Sequence, residues 1–377
     1  MLTHPHLSGG RLTVDLEALV ANWRLLNERS KPGKAAAVVK ANAYGLGIQA
    51  VAPALYEAGC RDFFVALPEE GITLKKCVSG ATVYLLNGIH TDSVASVAEA
   101  GLVPILGSRA QIDLWAEHCR ARGRRLPCGL QVDTGMNRLG LTVDEAIEFA
   151  SDNKKHFIVP LIHVMSHFAC ADDPANPLNQ QQIESFQRVV DAFDNVDSSL
   201  SNSAATLWGG ALGHTMTRPG IALYGGEAVN DRPNSMQTVV KLEGRIVQIR
   251  HAKAGETVSY GATQTLARDT KIATVSVGYA DGYPRAASGA GVPLRQTVET
   301  GIYGAIGGHR AAGLGRITMD LMMFDVTDIG DEALAGGWIE LIGPNVPLDD
   351  VARAGGTIGY EVLTSLGARY HQVATSC

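Results

Sequence analysis

No stretch of this 377-residue chain approaches the run of about 18 apolar residues that a membrane-spanning helix needs. The opening residues MLTHPHLSGGRLTVD lack the apolar core and small-residue cleavage site of a secretory leader, so the expected location is the cytoplasm. Cysteine is sparse and unpatterned: Cys60, Cys77, Cys119, Cys128, Cys170 and Cys377 include no CxxC pair and no short framework spacing. They read as buried or incidental thiols of a reducing compartment. Surplus positive charge is missing too. The formal net charge is −6, and Lys and Arg are scattered apart from a cluster at 120–125 that reads as a solvated helix end. A general nucleic-acid binder relies on excess cations, so neither nucleic acid nor membrane is expected as a partner. No P-loop, GxSxG elbow or GxGxxG fingerprint is found.

What is present is the balance of a soluble globular enzyme, with 46% hydrophobic and 19% charged residues. The length suits two domains better than one ordinary core. Strand-like runs alternate with amphipathic segments over residues 15–225: 35–40, 63–66, 82–87, 103–106, 129–133, 159–165 and 217–224, with a weaker run at 199–202. Leu16, Leu19, Val20, Trp23 and Leu26 recur at helical spacing behind Asp15 as a cap, and Ile183, Phe186, Val190 and Phe193 form a second stripe. Both stripes read as core faces. About eight strand–helix alternations predict a (β/α)8 barrel over residues 12–235. Beyond it the helical stripes fade. Strand-like runs at 237–250, 256–260, 271–277, 295–302 and 319–326, separated by glycine-rich turns, predict a mostly β domain over 236–377, joined by the extreme N-terminus. The fold class is thus α/β plus all-β.

The apolar run 35–39 stops at Lys40, and a small-residue turn carrying Tyr44 and Gly45 follows. A lysine where a buried strand leaves the core is either a snorkelling surface residue or an amine held in a low-dielectric cavity. In the second case its pKa falls and it becomes a nucleophile and base. The active face of a barrel lies at the C-terminal ends of its strands. Arg138, His167, Asn202 and Gly220 also fall at or just beyond predicted strand ends. Asn202-Ser203 opens a short helical stretch, and Arg218-Pro219-Gly220-Ile221 offers a glycine where backbone amides can approach an anion. Singly, Ser203 is an ordinary helix cap and Gly220 an ordinary turn glycine. His163, His167, Cys170, Asp172 and Asp173 raise the question of a metal. However, His163 lies within an apolar strand-like run, and spacing of four residues shares a face on a helix, so no metal is expected.

The segment VVKANAYG at 38–45 closely resembles the cofactor-lysine segment of the alanine racemase family. Further matches follow in order: VDTGMNRLGL at 132–141, SHFACADD at 166–173, NSAA at 202–205, RPGIALYG at 218–225, VSYGAT at 258–263, VGYADGYPR at 277–285, GRITMD at 315–320 and GYEVLT at 359–364. The resemblance covers nearly the whole chain. It implies pyridoxal 5'-phosphate as cofactor, alanine as substrate, and D-alanine supply by interconversion with L-alanine. Lys40 would hold the cofactor covalently and then serve as one base, and Tyr260 would be the second base on the opposite face, the arrangement that racemisation requires. His167 and Arg218 would bring the tyrosine pKa toward neutrality. Arg218 would also meet the pyridine nitrogen. An arginine keeps its proton, so the ring stays a weaker electron sink and side transamination is limited. Tyr44, Ser203, Gly220, Ile221 and Tyr360 match phosphate contacts, with Asn202 beside them. Arg138 matches the residue near the phenolic oxygen and the substrate carboxylate, Met319 offers a backbone N–H to that carboxylate, and Tyr279 is the entrance tyrosine. The resemblance also implies a homodimer with shared active sites.

Two positions depart from the family pattern. Where members often carry a carbamylated lysine bracing the arginine, this chain has Gln131, which cannot be carbamylated. Arg138 would then be held by the amide oxygen, a small anion or another carboxylate. Leu46 replaces a common histidine and alters local packing. The alternatives are a racemase of serine or several small amino acids, a barrel-type decarboxylase, and a non-catalytic pyridoxal-phosphate protein. A decarboxylase would pair the ring nitrogen with an acid rather than Arg218, and VSYGAT argues against the non-catalytic reading.

Overall fold

The computed structural model describes residues 6–156, 159–289 and 301–375. The chain divides into two compact units, one of residues 19–223 with 227–236, the other of residues 1–18, 224–226 and 237–377.

The first unit is a parallel barrel. Strands Ala37–Val38, Asp62–Val65, Thr82–Leu85, Val103–Leu106, Cys128–Gln131, Leu161–Met165 and Asp197–Ser199 pair in chain order. Closure comes from Met216–Thr217, which pairs in parallel with Lys34–Ala35. The backbone continues that seam: Ala36 N donates to Thr217 O at 2.9 Å and Val38 N to Pro219 O at 3.0 Å. On the other side Arg218 N donates to Ser201 O at 2.9 Å. Buried on both faces, these strands read as continuous apolar runs, and Phe63, Phe64, Val65, Val83 and Leu85 are fully buried. The first predicted strand is split at Ala36 and ends at Val38, short of Lys40. The last is only two residues long, because Pro219 and Gly220 break the ladder and Ile221–Tyr224 forms a 3-10 turn. The helix Leu16–Arg29 starts behind Asp15, whose carboxylate accepts from Ala18 N at 2.9 Å. Trp23 of that helix donates from its indole to Ala35 O at 3.1 Å. The second stripe lies on Pro177–Val190, with Phe193 beyond its end.

The second unit is built on the 13-residue strand Val240–Ala252. It pairs antiparallel with Gly10–Asp15, with Trp338–Ile342 and, past a bulge between Ile246 and Gln248, with Thr270–Val275. The last pairing closes a ring through Met322–Asp325, His309–Leu314 and Tyr303–Ile306 back to Trp338–Ile342. His371–Thr375 adds to the outer edge of Gly10–Asp15 in parallel. Ala252, Val258, Leu266, Ile272 and Leu314 form one buried cluster, with Met323 against it. The expected strand at 256–260 shrinks to Thr257–Val258, and Tyr260 sits in a 3-10 turn. The run at 319–326 is a strand only over Met322–Asp325. The run at 295–302 falls mostly outside the described residues. No helix among the described residues is long and apolar enough to cross a membrane.

Candidate active site

In the barrel unit the chain past the first strand does something unusual. Ala41, Asn42, Ala43 and Tyr44 all have φ between +52° and +56°, giving a left-handed turn that starts directly after Lys40. Such a turn costs about 1–2 kcal/mol per non-glycine residue and needs support from its surroundings. Lys40 is exposed by surface area, yet its amine stands among enough protein that its pKa is lowered, first by desolvation and then by Arg138, with Glu70 opposing.

Arg138 follows strand Cys128–Gln131 on a turn held by Asp133, whose carboxylate accepts from Gly135 N at 2.8 Å, Met136 N at 2.9 Å and Arg138 N at 3.2 Å. Burial raises the Asp133 pKa, but these amides outweigh it and hold the carboxyl below its usual range. Gln131 donates its amide to Val132 O at 3.3 Å.

Arg218, at the end of the closing strand, is 3% exposed and has no carboxylate within ion-pair distance among the described residues. Its guanidinium donates to Ser199 Oγ and to the Ser166 and Leu200 carbonyls. It also reaches His167 Nδ1 at 3.4 Å. An arginine only donates, so His167 Nδ1 is an acceptor and the ring carries its proton on Nε2. Desolvation, then Arg218, Arg138 and Lys40, pull the His167 pKa to about 3, so the ring is neutral. Burial lowers the Arg218 pKa to about 9, and the side chain stays protonated at neutral pH. Behind it, Ser199 Oγ lies 2.7 Å from Nε2 of the fully buried His163, whose pKa falls to about 3 through desolvation and the charges of Arg218 and Lys34. That histidine lies beside the stacked rings of Tyr84 and Phe64, its ring centroid 5.3 Å from the first and 6.0 Å from the second.

Ser203 Oγ accepts from Gly220 N at 2.8 Å and Ala222 N at 3.3 Å. A Cβ on Gly220 would stand 2.3 Å from the Tyr44 hydroxyl, so only glycine lets that hydroxyl reach this backbone. Asn202 caps the helix Ser203–Gly209 through Ala205 N at 3.1 Å, and Ile221 is fully buried. The Tyr44 and Ser203 hydroxyls and the Gly220 and Ala222 amides meet here. This set fits a phosphate group, and the lysine and buried guanidinium fit the aldehyde and ring nitrogen of the cofactor that the sequence implies. Among the described residues no group of three His, Cys, Asp or Glu side chains is arranged to hold a metal.

The β unit presents its candidates at the surface. Tyr260 is 72% exposed and Met319 54%. Tyr260 lines an open groove of about 950 Å³ with Gln248, Arg250, Thr274, Thr318 and Leu321. Side-chain exposure does not mean loose backbone. Tyr279 N donates to Thr318 O at 3.0 Å and Ala280 N to Met319 O at 2.9 Å, a pairing so close that a Cβ on Gly278 would meet Met319 O at 2.3 Å. Arg369 joins the same two loops from outside, with Nε 3.2 Å from Asp281 Oδ1 and a terminal nitrogen 2.9 Å from Asp320 Oδ1. The buried Asp281 also accepts from Gly278 N at 2.8 Å. Tyr360 is on the helix Gly359–Ser365 and partly exposed. Sequence reasoning missed Ser166, Ser199, Glu70, Asp281 and Arg369. Ser166 and Asp281 lie inside the quoted motifs SHFACADD and VGYADGYPR without being singled out, and Glu70 carried the signal of an acid in the first turn of a helix.

The sequence profile of the alanine racemase N-terminal domain matches residues 14–228, and that of the C-terminal domain matches residues 239–374. This chain belongs to the alanine racemase family. An alanine racemase of Rhizobium meliloti (strain 1021) is 51% identical over 366 residues, 97% of this chain and 96% of that protein. A biosynthetic alanine racemase of Agrobacterium fabrum (strain C58 / ATCC 33970) is 52% identical over 96% of this chain and 93% of its own length. The crystal structure of the Bartonella henselae alanine racemase with covalently bound pyridoxal phosphate superposes with a TM-score of 0.89 at 36% identity, covering 98% of this chain and 100% of that one. Lys40, Arg138, His167 and Arg218 act on one another electrostatically at the strand ends of this family's barrel.

Proposed function

We infer that this chain interconverts L- and D-alanine with pyridoxal 5'-phosphate, using Lys40 and Tyr260 on opposite faces of the substrate α-carbon. The observation that carries this reading is the barrel mouth, where an amine of lowered pKa interacts electrostatically with Arg138 and His167, and His167 in turn meets a buried guanidinium that has no carboxylate partner among the described residues. Bound pyridoxal phosphate supplies an electron-accepting ring that acidifies the substrate α C–H.

The residues do the rest. Lys40 Nζ would hold the cofactor and, once the substrate amine has taken its place, would move the α-proton on one face, while the Tyr260 oxygen would move it on the other. Arg218 would donate to the ring nitrogen and keep its own proton, which would limit electron withdrawal and favour racemisation over transamination. Neutral His167 and the Arg218 charge assist ionisation of Tyr260. Tyr44, Ser203, Gly220, Ile221 and Tyr360 receive the phosphate, with Asn202 fixing the helix start. Arg138 and the Met319 amide orient the carboxylate, and Tyr279 lines the approach. Residues 12–235 act as the cofactor-binding domain, and residues 236–377 supply the second base. The exposed Tyr260 and Met319 serve the active site of a second copy, so the working unit is a homodimer, located in the cytoplasm. Of the two roles open to such an enzyme, D-alanine supply and alanine catabolism, the first is favoured by the higher identity to the biosynthetic Agrobacterium fabrum racemase, 52%, than to the catabolic one, 38%.

The test is α-hydrogen exchange of D- and L-alanine in deuterated water, run beside a serine assay. Borohydride reduction followed by peptide mapping should place the cofactor on Lys40. Absence of exchange with either enantiomer would overturn the activity, and a label on another lysine would overturn the anchor.

A further inference from the structure

Glu70 touches the lysine segment, although no motif drew attention to it. It occupies the first turn of the helix Pro68–Cys77. One oxygen, Oε2, accepts from Ala66 N at 2.8 Å and Leu67 N at 3.1 Å, the ordinary work of an acid capping its own helix. The other oxygen crosses to a different segment. Oε1 accepts from Ala41 N at 2.6 Å, the amide directly after Lys40.

That amide belongs to the left-handed turn. Within the turn Ala43 N donates to Val39 O, Gly45 N to Ala41 O and Gly47 N to Asn42 O, each at 2.8–2.9 Å. The Ala41 amide is the one at the entrance, and it takes the carboxylate. Four consecutive non-glycine residues at positive φ persist only where the surroundings fix them, and a charged acceptor forms about twice as strong a hydrogen bond as a neutral one. One carboxylate therefore ties three things together: the peptide after Lys40, the end of strand Asp62–Val65 and the start of the next helix.

We propose that Glu70 is a positioning residue that fixes Lys40 at the barrel mouth by anchoring the left-handed turn behind it. It acts through the backbone and does not touch the reacting atoms. The electrostatics agree: burial and Arg138 favour the neutral amine, and Glu70 opposes them. His167, the other titratable neighbour coupled to Lys40, is neutral. The proposal rests on Lys40 being the reactive amine, but it is testable without that premise.

Two variants of the full chain separate an anchor from a helix cap. Glu70→Gln keeps the shape but must turn an amide nitrogen toward Ala41 N or toward the Ala66 and Leu67 amides. Glu70→Asp keeps the charge for the helix but is one methylene short of Ala41. Hydrogen exchange resolved by peptide is the first readout. Both variants should exchange residues 41–45 at least tenfold faster, and Glu70→Asp should leave 71–77 within twofold of the parent. The second readout is trace acetylation of Lys40 against pH, in the full chain stripped of cofactor. There Glu70→Gln should shift the Lys40 profile to lower pH. Unchanged exchange at 41–45 in Glu70→Asp, or faster exchange confined to 66–77 in either variant, would reduce Glu70 to a helix cap and overturn the proposal. If borohydride labels another lysine, the catalytic reading fails, while exchange at 41–45 still reports on Glu70.

Discussion

The barrel unit buries Arg218, His163 and Ser203 behind the more open Lys40 and Arg138, whereas the β unit displays Tyr260 and Met319 at its surface. Arg218 and His163 are enclosed and hydrogen-bonded, and each has a pKa moved by burial. Tyr260 and Met319 stand more than half exposed, and the Met319 loop is zipped by backbone hydrogen bonds to the loop of Tyr279. A buried group has its ionisation state set by its own fold. Two kinds of acid–base partner thus come from one chain: Lys40, whose pKa its own unit lowers, and Tyr260, which its own unit leaves uncovered.

The largest effect should come from the tuned side. Lys40→Ala removes anchor and base together, so racemisation should fall by more than about 10⁴-fold, measured with either enantiomer. Residual activity well above that would move the chemistry to another amine.

Tyr260→Phe removes only the exposed oxygen and should cost about 10²–10⁴-fold in both directions. Proton exchange should survive mainly for the enantiomer that Lys40 deprotonates. Stability should change by less than about 0.5 kcal/mol, as expected for an exposed site. Equal exchange of D- and L-alanine would erase the distinction between the two faces.

Acid should separate the units. His163, His167 and His214 have folded pKa values pulled to about 3, 3 and 4, in each case chiefly by desolvation. The unfolded chain takes up these protons near pH 6.5, and the folded barrel does not. Their contribution is therefore complete above pH ~6.5 and is lost as pH falls, by up to about 1.4 kcal/mol per pH unit for each histidine. Hydrogen exchange between pH 7 and 4 should show the barrel peptides opening progressively as pH falls. Barrel exchange that tracks only the intrinsic pH dependence of amides would contradict this origin.

On the exposed side, Arg369→Met removes the clamp from Asp281 and Asp320 without touching the groove. KM for alanine should rise about tenfold, with kcat changed less than about threefold, because uniform binding is lost. A fall confined to kcat would assign the clamp to the chemical step. The smallest effect is a null one. Gln131 cannot be carbamylated, so bicarbonate should leave the rate unchanged at fixed ionic strength. Activation would mean that a lysine elsewhere braces Arg138.

The barrel was legible because parallel strands buried on both faces leave apolar runs, and Lys40, Arg138, His167 and Asn202 follow such runs. Other features left no local trace. The left-handed turn is made of Ala41, Asn42, Ala43 and Tyr44, none of which announces positive φ as glycine would. The pairing of Lys34–Ala35 with Met216–Thr217 and the ring closed by Thr270–Val275 depend on partners far away in the chain. Arg369 and Asp281 are separated the same way, and neither lies in a pattern that singles out an ion pair.

The register of the first strand has a topological consequence. Val14 lies opposite Val240, and Asp15 N donates to Val239 O at 2.8 Å, so the chain leaves the β sheet and returns to it at neighbouring positions. In genetic terms the barrel is an insertion into a β domain, spliced in where a tight hairpin would otherwise sit. During synthesis Gly10–Asp15 is made first and stays without its sheet until Val240–Ala252 is translated, roughly two hundred residues later. The β domain is therefore the first begun and the last completed. Removing the insertion and joining Asp15 to Val239 by a short turn would leave every remaining strand its neighbour in the same order.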